Sequence, residues 1–285
     1  MLGVGLSLLS AVLFGGMSIA LGFAMRRSRD AEVGAFVTAF CGFLVCAVVA
    51  AIGREWGGEL WPFALAGLLA PGGSQLLFVL AVREAGPARA SVIAGAAPLV
   101  AVTIALILLG EPVSAPLIVG AVLIVVGGLA LVAERERPES FRAIGLLFAF
   151  GCTVFFASRD NVVRHLASGS DVAPQLAAAT TILSGTIVIG LYLAQVRRGR
   201  LLRDLRAGFA TFAPPGLLWG ASYASLFEAF YRSRVSVVSP LVATESLFSV
   251  LLAVILLRRT ELVGRHLVLG VLLVVAGGAL IGAFR

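Results

Sequence analysis

The chain contains no lysine, two histidines and three cysteines, and charged residues make up only 13% of its 285 positions. Each scarcity removes a class of function. Without lysine there is no Walker A loop, whose lysine contacts nucleotide phosphates, so any work done here is not powered by an ATPase within this chain. Neither an H-E-x-x-H nor a G-x-S-x-G pattern occurs, and His165 and His266 both fall near the ends of apolar runs, so metalloprotease and serine-hydrolase chemistry have no residues to use. No enzyme, cofactor or metal is expected. Cys41, Cys46 and Cys152 lie inside apolar runs, where an odd number argues against a disulfide framework and for small packing residues. All 22 basic residues are arginines. They gather near the ends of apolar runs and in the short breaks between them, so the net charge of +7 speaks to membrane topology, and nucleic acid is not an expected partner.

What is abundant is apolar surface. Hydrophobic residues reach 60%, outside the range of soluble domains. Ten runs are each long enough to cross a hydrocarbon core of roughly 30 Å, which takes about 20 helical residues. They cover residues 3–25, 33–52, 61–83, 88–109, 115–133, 143–165, 173–195, 210–231, 235–257 and 264–284. The reading is an all-α integral membrane protein in a lipid bilayer. No connection is long enough to hold a soluble domain. The first run, "MLGVGLSLLSAVLFGG", lacks a basic leader and a small-residue cleavage site, so it reads as a span and not as a cleaved signal peptide.

The chain repeats itself. "EPVSAPLIVGAVLIVVGGLAL" (111–131) lies over "ELVGRHLVLGVLLVVAGGALI" (261–281), which matches Glu111 with Glu261 and Gly120, Gly127 and Gly128 with Gly270, Gly277 and Gly278. "GLSLLSAVLFGGMS" lies over "GLLFAFGCTVFFAS", setting Ser18 opposite Ser158. The first copy covers 1–138 and the second 139–285, joined at "ERERPESFR" (134–142). Five spans per copy, an odd number, force the second copy to enter the membrane from the opposite side. Such inverted repeats are a recurrent design of secondary transporters, with the substrate site near the midplane between the halves.

Residues 85–111, "AGPARASVIAGAAPLVAVTIALILLGE", and their weaker second copy "SRVSVVSPLVATESLFSVLLAVILLRRTE" resemble the drug/metabolite transporter superfamily, in particular its ten-helix EamA family. The second copy carries Ser246 where the first has Pro98 and keeps Glu261 of the terminal "GE". The resemblance spans nearly the whole chain. It implies export of a small metabolite, with amino acid exporters, including those for aromatic amino acids, as the nearest analogy, and a bacterial cytoplasmic membrane location. Multidrug or other metabolite export and a channel are the alternatives. Orientation draws two opposed expectations. Sixteen of the 22 arginines follow odd-numbered spans, which by the positive-inside rule puts both termini outside, whereas the resemblance implies termini inside. The charge count is preferred.

Candidate site residues are the polar ones at membrane depth. An ionised carboxylate at the centre of a membrane helix costs about 2.5 to 3.5 kcal/mol on insertion scales, so it is usually protonated, paired or facing a cavity. Glu245, in "LVATESLFSV" with Pro240 one turn earlier, is the leading candidate to bind a substrate amine or a coupling proton. The alternative is a brace to another helix through Arg159. "PGGSQ" (71–75) lies over "WGASY" (219–223), pairing Ser74 with Ser222 and Gln75 with Tyr223. The Pro-Gly-Gly break suits a site-lining helix, and Trp219 and Tyr223 share a helical face that fits an aromatic ligand. Arg159 could hold a substrate carboxylate. It is expected to pair poorly with Asp160, since adjacent side chains diverge by about 100°, leaving Asp160 to Arg164. Glu228 is expected to pair at the interface, with Arg232 and Arg234 following it. Glu111 and Glu261 read as structural carboxylates at helix N-termini. Gly120 with Gly127, Gly270 with Gly277, and Gly278 with Gly282 make small-residue faces that would join the fifth and tenth spans within one molecule, so a monomer is expected, with an oligomer interface as the alternative.

Overall fold

The computed structural model describes every residue except 1, 55, 98, 101–114, 133–140, 168, 234–237, 239, 240, 257–263, 284 and 285. Pro98, Glu111, Pro240 and Glu261 lie outside the described residues, as do Arg234 and the arginines at 135, 137, 258 and 259. The helices are α1 Leu2–Arg27, α2 Ala31–Gly53, α3 Trp61–Ala85, α4 Pro87–Ala94, α5 Ala115–Val132, α6 Ile144–Ala167, α7 Pro174–Arg197, α8 Leu201–Arg232, α9 Glu245–Leu256 and α10 Arg265–Ala283. Among the described residues, five segments are long and apolar enough to cross a membrane: α1, α2, α3, α6 and the stretch Pro174–Arg232, which holds both α7 and α8. No strand occurs among the described residues.

Two elements differ from the hydropathy reading. α8 begins at Leu201, nine residues before the expected span, because "LLRDLRAGF" is helical despite its arginines. Charge ends an apolar run without ending a helix. α9 begins at Glu245 after a turn at Thr244, preceded by a helical turn at 241–243. Glu245 therefore sits in the first turn of a helix and not at the middle of one, where the amide dipole favours a carboxylate.

The packing follows the duplication. The contact of α1 with α8 has its counterpart in α6 with α3, that of α2 with α8 in α7 with α3, and that of α1 with α9 in α6 with α4. Pairs α2–α7, α4–α9 and α5–α10 map onto themselves. This is the pattern a two-fold relation between halves produces. Its direction follows from the glycines of α5 and α10. A Cβ on Gly277 would stand 2.5 Å from the Gly120 carbonyl oxygen, and one on Gly127 would stand 2.8 Å from that of Gly270. Early glycine meets late glycine, so the two helices run antiparallel and the second half is inverted. Gly278 is buried too, while the side-chain surroundings of Gly128 and Gly282 lie outside the described residues.

Ion pairs and loops sort to the two ends accordingly. At one end, Arg83 donates to the Arg29 carbonyl, the Arg142 amide donates to the Glu84 carbonyl, and Glu84 receives Arg83 at 2.6 Å. There Arg197 also joins Asp30 at 2.9 Å and Glu32 at 2.8 Å. At the other end, Gly3 abuts Ser233 and Gly58 abuts Val172. α6 thus starts at the end where α1 finishes.

Because the obstacle at Gly277 is backbone oxygen and not a pliant side chain, Gly277→Val should destabilise the protein by about 1–3 kcal/mol, the usual cost of overpacking. Gly5→Ala, whose Cβ meets nothing within 4 Å, is the control and should be neutral or slightly stabilising. Thermal unfolding in detergent, compared for the two variants, checks this; equal midpoints would show that the glycine seam is not tight.

Candidate functional site

A cavity of about 610 Å³ of empty space, including its open mouth, lies where α1, α4, α6, α8 and α9 converge. Both halves build it. The first contributes Ser10 and Phe14 from α1 and Ala94 and Ala97 from the α4 region. The second contributes Phe156, Arg159 and Asp160 from α6 and Ser222, Tyr223, Leu226 and Phe230 from α8. Val242, Ala243 and Glu245 close it at the start of α9. The walls are thus apolar and aromatic, with one arginine and two acidic side chains among them.

Arg159 is 1% exposed. Its guanidinium carbon lies 4.7 Å from the Tyr223 ring centroid, 5.5 Å from that of Phe156 and 5.7 Å from that of Phe227. The rings on α8 are regularly spaced, because residues four apart share a helical face. Trp219 and Tyr223 are 4.4 Å apart by centroid, and Tyr223 and Phe227 are 5.9 Å apart. Rings of this kind stabilise a cation over their faces.

The expected separation of Arg159 from Asp160 is corrected by the structure: Nε stands 2.8 Å from Asp160 Oδ1. The 100° divergence holds near the backbone, but the long arginine stem folds back across it. The contact lacks hydrogen-bond alignment, since Nε and Oδ1 are both without a hydrogen-bond partner, as is Nη1. The pair is therefore Coulombic and leaves donors free. Asp160 does not pair with Arg164, whose Nη1 instead donates to the Phe230 carbonyl at 2.9 Å.

Glu245 is 6% exposed, and among the described residues no cation lies within ion-pair distance of it. The brace to Arg159 does not form, although both side chains line the same cavity. Gly15 lets α1 run close beside the start of α9, since a Cβ there would stand 3.1 Å from the Glu245 carbonyl oxygen. The Tyr223 hydroxyl is buried without a hydrogen-bond partner, and the guanidinium lies over its ring.

The remaining sequence candidates, Ser222 apart, fall elsewhere. Ser222 does line the cavity, donating to the Ser10 carbonyl at 2.9 Å, with the two hydroxyls 3.0 Å apart. Trp219 is fully buried behind Tyr223, against Gly42 of α2. Ser74 and Gln75 are fully buried outside the cavity, and Gln75 donates to Thr38 Oγ1 at 2.8 Å. Ser18 accepts from Ser91 at 3.0 Å, and Ser158 donates to its own helix at Val154.

The Pro-Gly-Gly interruption is real. Ala70 has φ −145° and ψ 121°, outside helical values. Its role is packing, however. Gly67 fits against Thr181 and Ser184 of α7, Pro71 and Gly72 crowd Gly185, and Gly73 abuts Phe155. Glu228 pairs with Arg232, the interfacial ion pair expected. The three cysteines are buried and free.

Sequence reasoning passed over Ser10, Phe14, Phe156, Phe227 and Phe230. A signal for three of them was present: Phe227 continues the Trp219–Tyr223 spacing, and Ser10 with Phe14 shares a face of α1. Phe230 lies three after Phe227 and Phe156 three before Arg159, a weaker mark of the same kind, since residues three apart also neighbour each other on a helix.

The profile of the EamA-like transporter family matches residues 1–133 and again 143–283. A search of curated proteins returns no match. Among solved structures 23 chains match. One, titled only "Crystal structure of protein", superposes with a TM-score of 0.66 over 98% of this chain and 94% of that one at 18% identity, a likeness of fold alone.

Proposed function

This chain belongs to the EamA-like transporter family, a family of membrane transporters, and from that premise we propose that it exports a small amphipathic metabolite by alternating access. Amino acids, aromatic or other neutral ones, are the leading substrate class. One observation carries the reading: the cavity takes walls from both inverted halves and combines aromatic surface with a caged arginine and a separate carboxylate. A site between halves is reached from either side when the halves rock, and polar side chains at that depth are costly unless they meet something. The protein works as a monomer in the bacterial cytoplasmic membrane. The arginine-rich end, where Arg29, Arg83, Arg142 and Arg197 gather, faces the cytoplasm, which puts both termini outside.

Counterflow in proteoliposomes tests this, with neutral, aromatic and cationic amino acids and amphipathic drugs as the panel. Saturable counterflow of the neutral or aromatic amino acids is the expected result. Saturable counterflow of the drugs alone would replace amino acids with a multidrug substrate range, and conductance without saturation or counterflow would make the protein a channel.

A further inference from the structure

Three polar groups face the cavity with their bonding capacity unspent. Arg159 Nη1 is buried and without a hydrogen-bond partner, even though the guanidinium is held from below by aromatic rings and from one side by Asp160. The Tyr223 hydroxyl is buried and equally without one. Glu245 has no cation beside it among the described residues. A buried donor left unsatisfied costs about 1–3 kcal/mol, more when charged, so two such donors beside one cavity indicate an acceptor that arrives with the ligand.

We infer that Arg159 and Tyr223 together form a carboxylate receptor, and that Glu245 receives an ammonium on the same ligand, so that the cavity selects zwitterions by their two charged ends. This rests on the transporter reading above. Pairing of both charged ends favours the assignment. Arg159 and Asp160 offset one another in charge yet leave guanidinium donors free for a carboxylate, and the ammonium meets Glu245, which has no cation beside it among the described residues. An amine without a carboxylate would satisfy Glu245 but leave Nη1 and the tyrosine hydroxyl unpaired. A carboxylate without an amine would satisfy both donors but bring a second negative charge into the cavity with Glu245. The apolar remainder of the ligand lies against Phe14, Leu226 and Phe230.

The test is a matched set of probes: phenylalanine, its amide, phenethylamine and 3-phenylpropionate, which share one ring and differ in their charged ends. Binding is measured by calorimetry on the full chain in nanodiscs, beside counterflow, for wild type, Tyr223→Phe and Arg159→Gln. Wild type should bind phenylalanine at least about tenfold more tightly than its amide or the amine, the discrimination expected of hydrogen bonds to a charged group. Tyr223→Phe keeps the ring beneath the guanidinium and removes only the hydroxyl; it should weaken phenylalanine binding and leave that of the amine unchanged. Arg159→Gln should erase the preference. Equal wild-type binding of phenylalanine and its amide, or a preference that survives in both variants, would overturn the receptor. Binding of none of the four would overturn it too while leaving a transporter of other substrates. Selective binding without counterflow would uphold the receptor and sink the transport reading instead.

Discussion

Arg159→Met should cost the folded protein about 3–5 kcal/mol, and Asp160→Asn in the same chain should return much of that loss. Methionine suits the space between the Phe156, Tyr223 and Phe227 rings and makes favourable sulfur–aromatic contacts, so lost packing is the smaller part of the cost. The larger part is Asp160. Its side chain is 23% exposed, it lines the cavity, and its one cation among the described residues is Arg159 at 2.8 Å. Removing the arginine strands a carboxylate at membrane depth, whereas removing both charges strands nothing. A double-mutant cycle on unfolding in bicelles reads this directly, as an interaction term well above the error of additive sites. Should the double variant be as unstable as Arg159→Met alone, the guanidinium acts through its stacking on the rings and not through the ion pair.

Glu245→Gln should reduce saturable counterflow of an amine-bearing substrate by about 30-fold or more, the kinetic equivalent of losing one partner of a buried charge pair. Glutamine preserves the volume of a side chain that is 6% exposed and makes no ion pair in the described residues, so the fold should survive. That separation is what makes the variant informative. Arg159→Met perturbs stability and function together, while Glu245→Gln should perturb function alone. Wild-type counterflow in a folded Glu245→Gln protein would return this glutamate to a packing role at the start of α9, where the helix dipole alone accounts for it.

The two variants also mark a division of labour along the chain. α6 brings a charge pair that offsets itself but leaves guanidinium donors free, and α9 brings a carboxylate with no cation beside it among the described residues. The aromatic ladder of α8 lies between them, with Trp219 anchoring its far end against Gly42 of α2. Gly216 and Gly220 let α2 and α8 approach backbone to backbone, since a Cβ on either would stand within 2.7 Å of an α2 side chain. The cavity is therefore held by small-residue seams remote from it, as expected where helices associate by packing and not by exclusion of water.

Sequence alone determined the class, the duplication and the inversion. These follow from hydropathy, a repeat legible at Gly120, Gly127, Gly270 and Gly277, and the parity of spans, which are all local or periodic quantities. It also singled out Glu245 and Arg159, because a charge in an apolar run is visible without any neighbour. What it could not decide was company. Gln75, Ser74 and Trp219 are as buried as Tyr223 and Ser222, yet Gln75 and Trp219 face α2, and Ser74 is buried outside the cavity. The side on which a residue lies depends on how each helix is rotated about its axis, and that is set by glycine contacts between helices far apart in the chain. The Arg159–Asp160 contact was likewise beyond helical geometry, since it depends on the path of a flexible stem confined by three rings. Tertiary packing alone chose which buried polar groups meet in one space, because burial is a property of each residue and convergence is a property of the pairs.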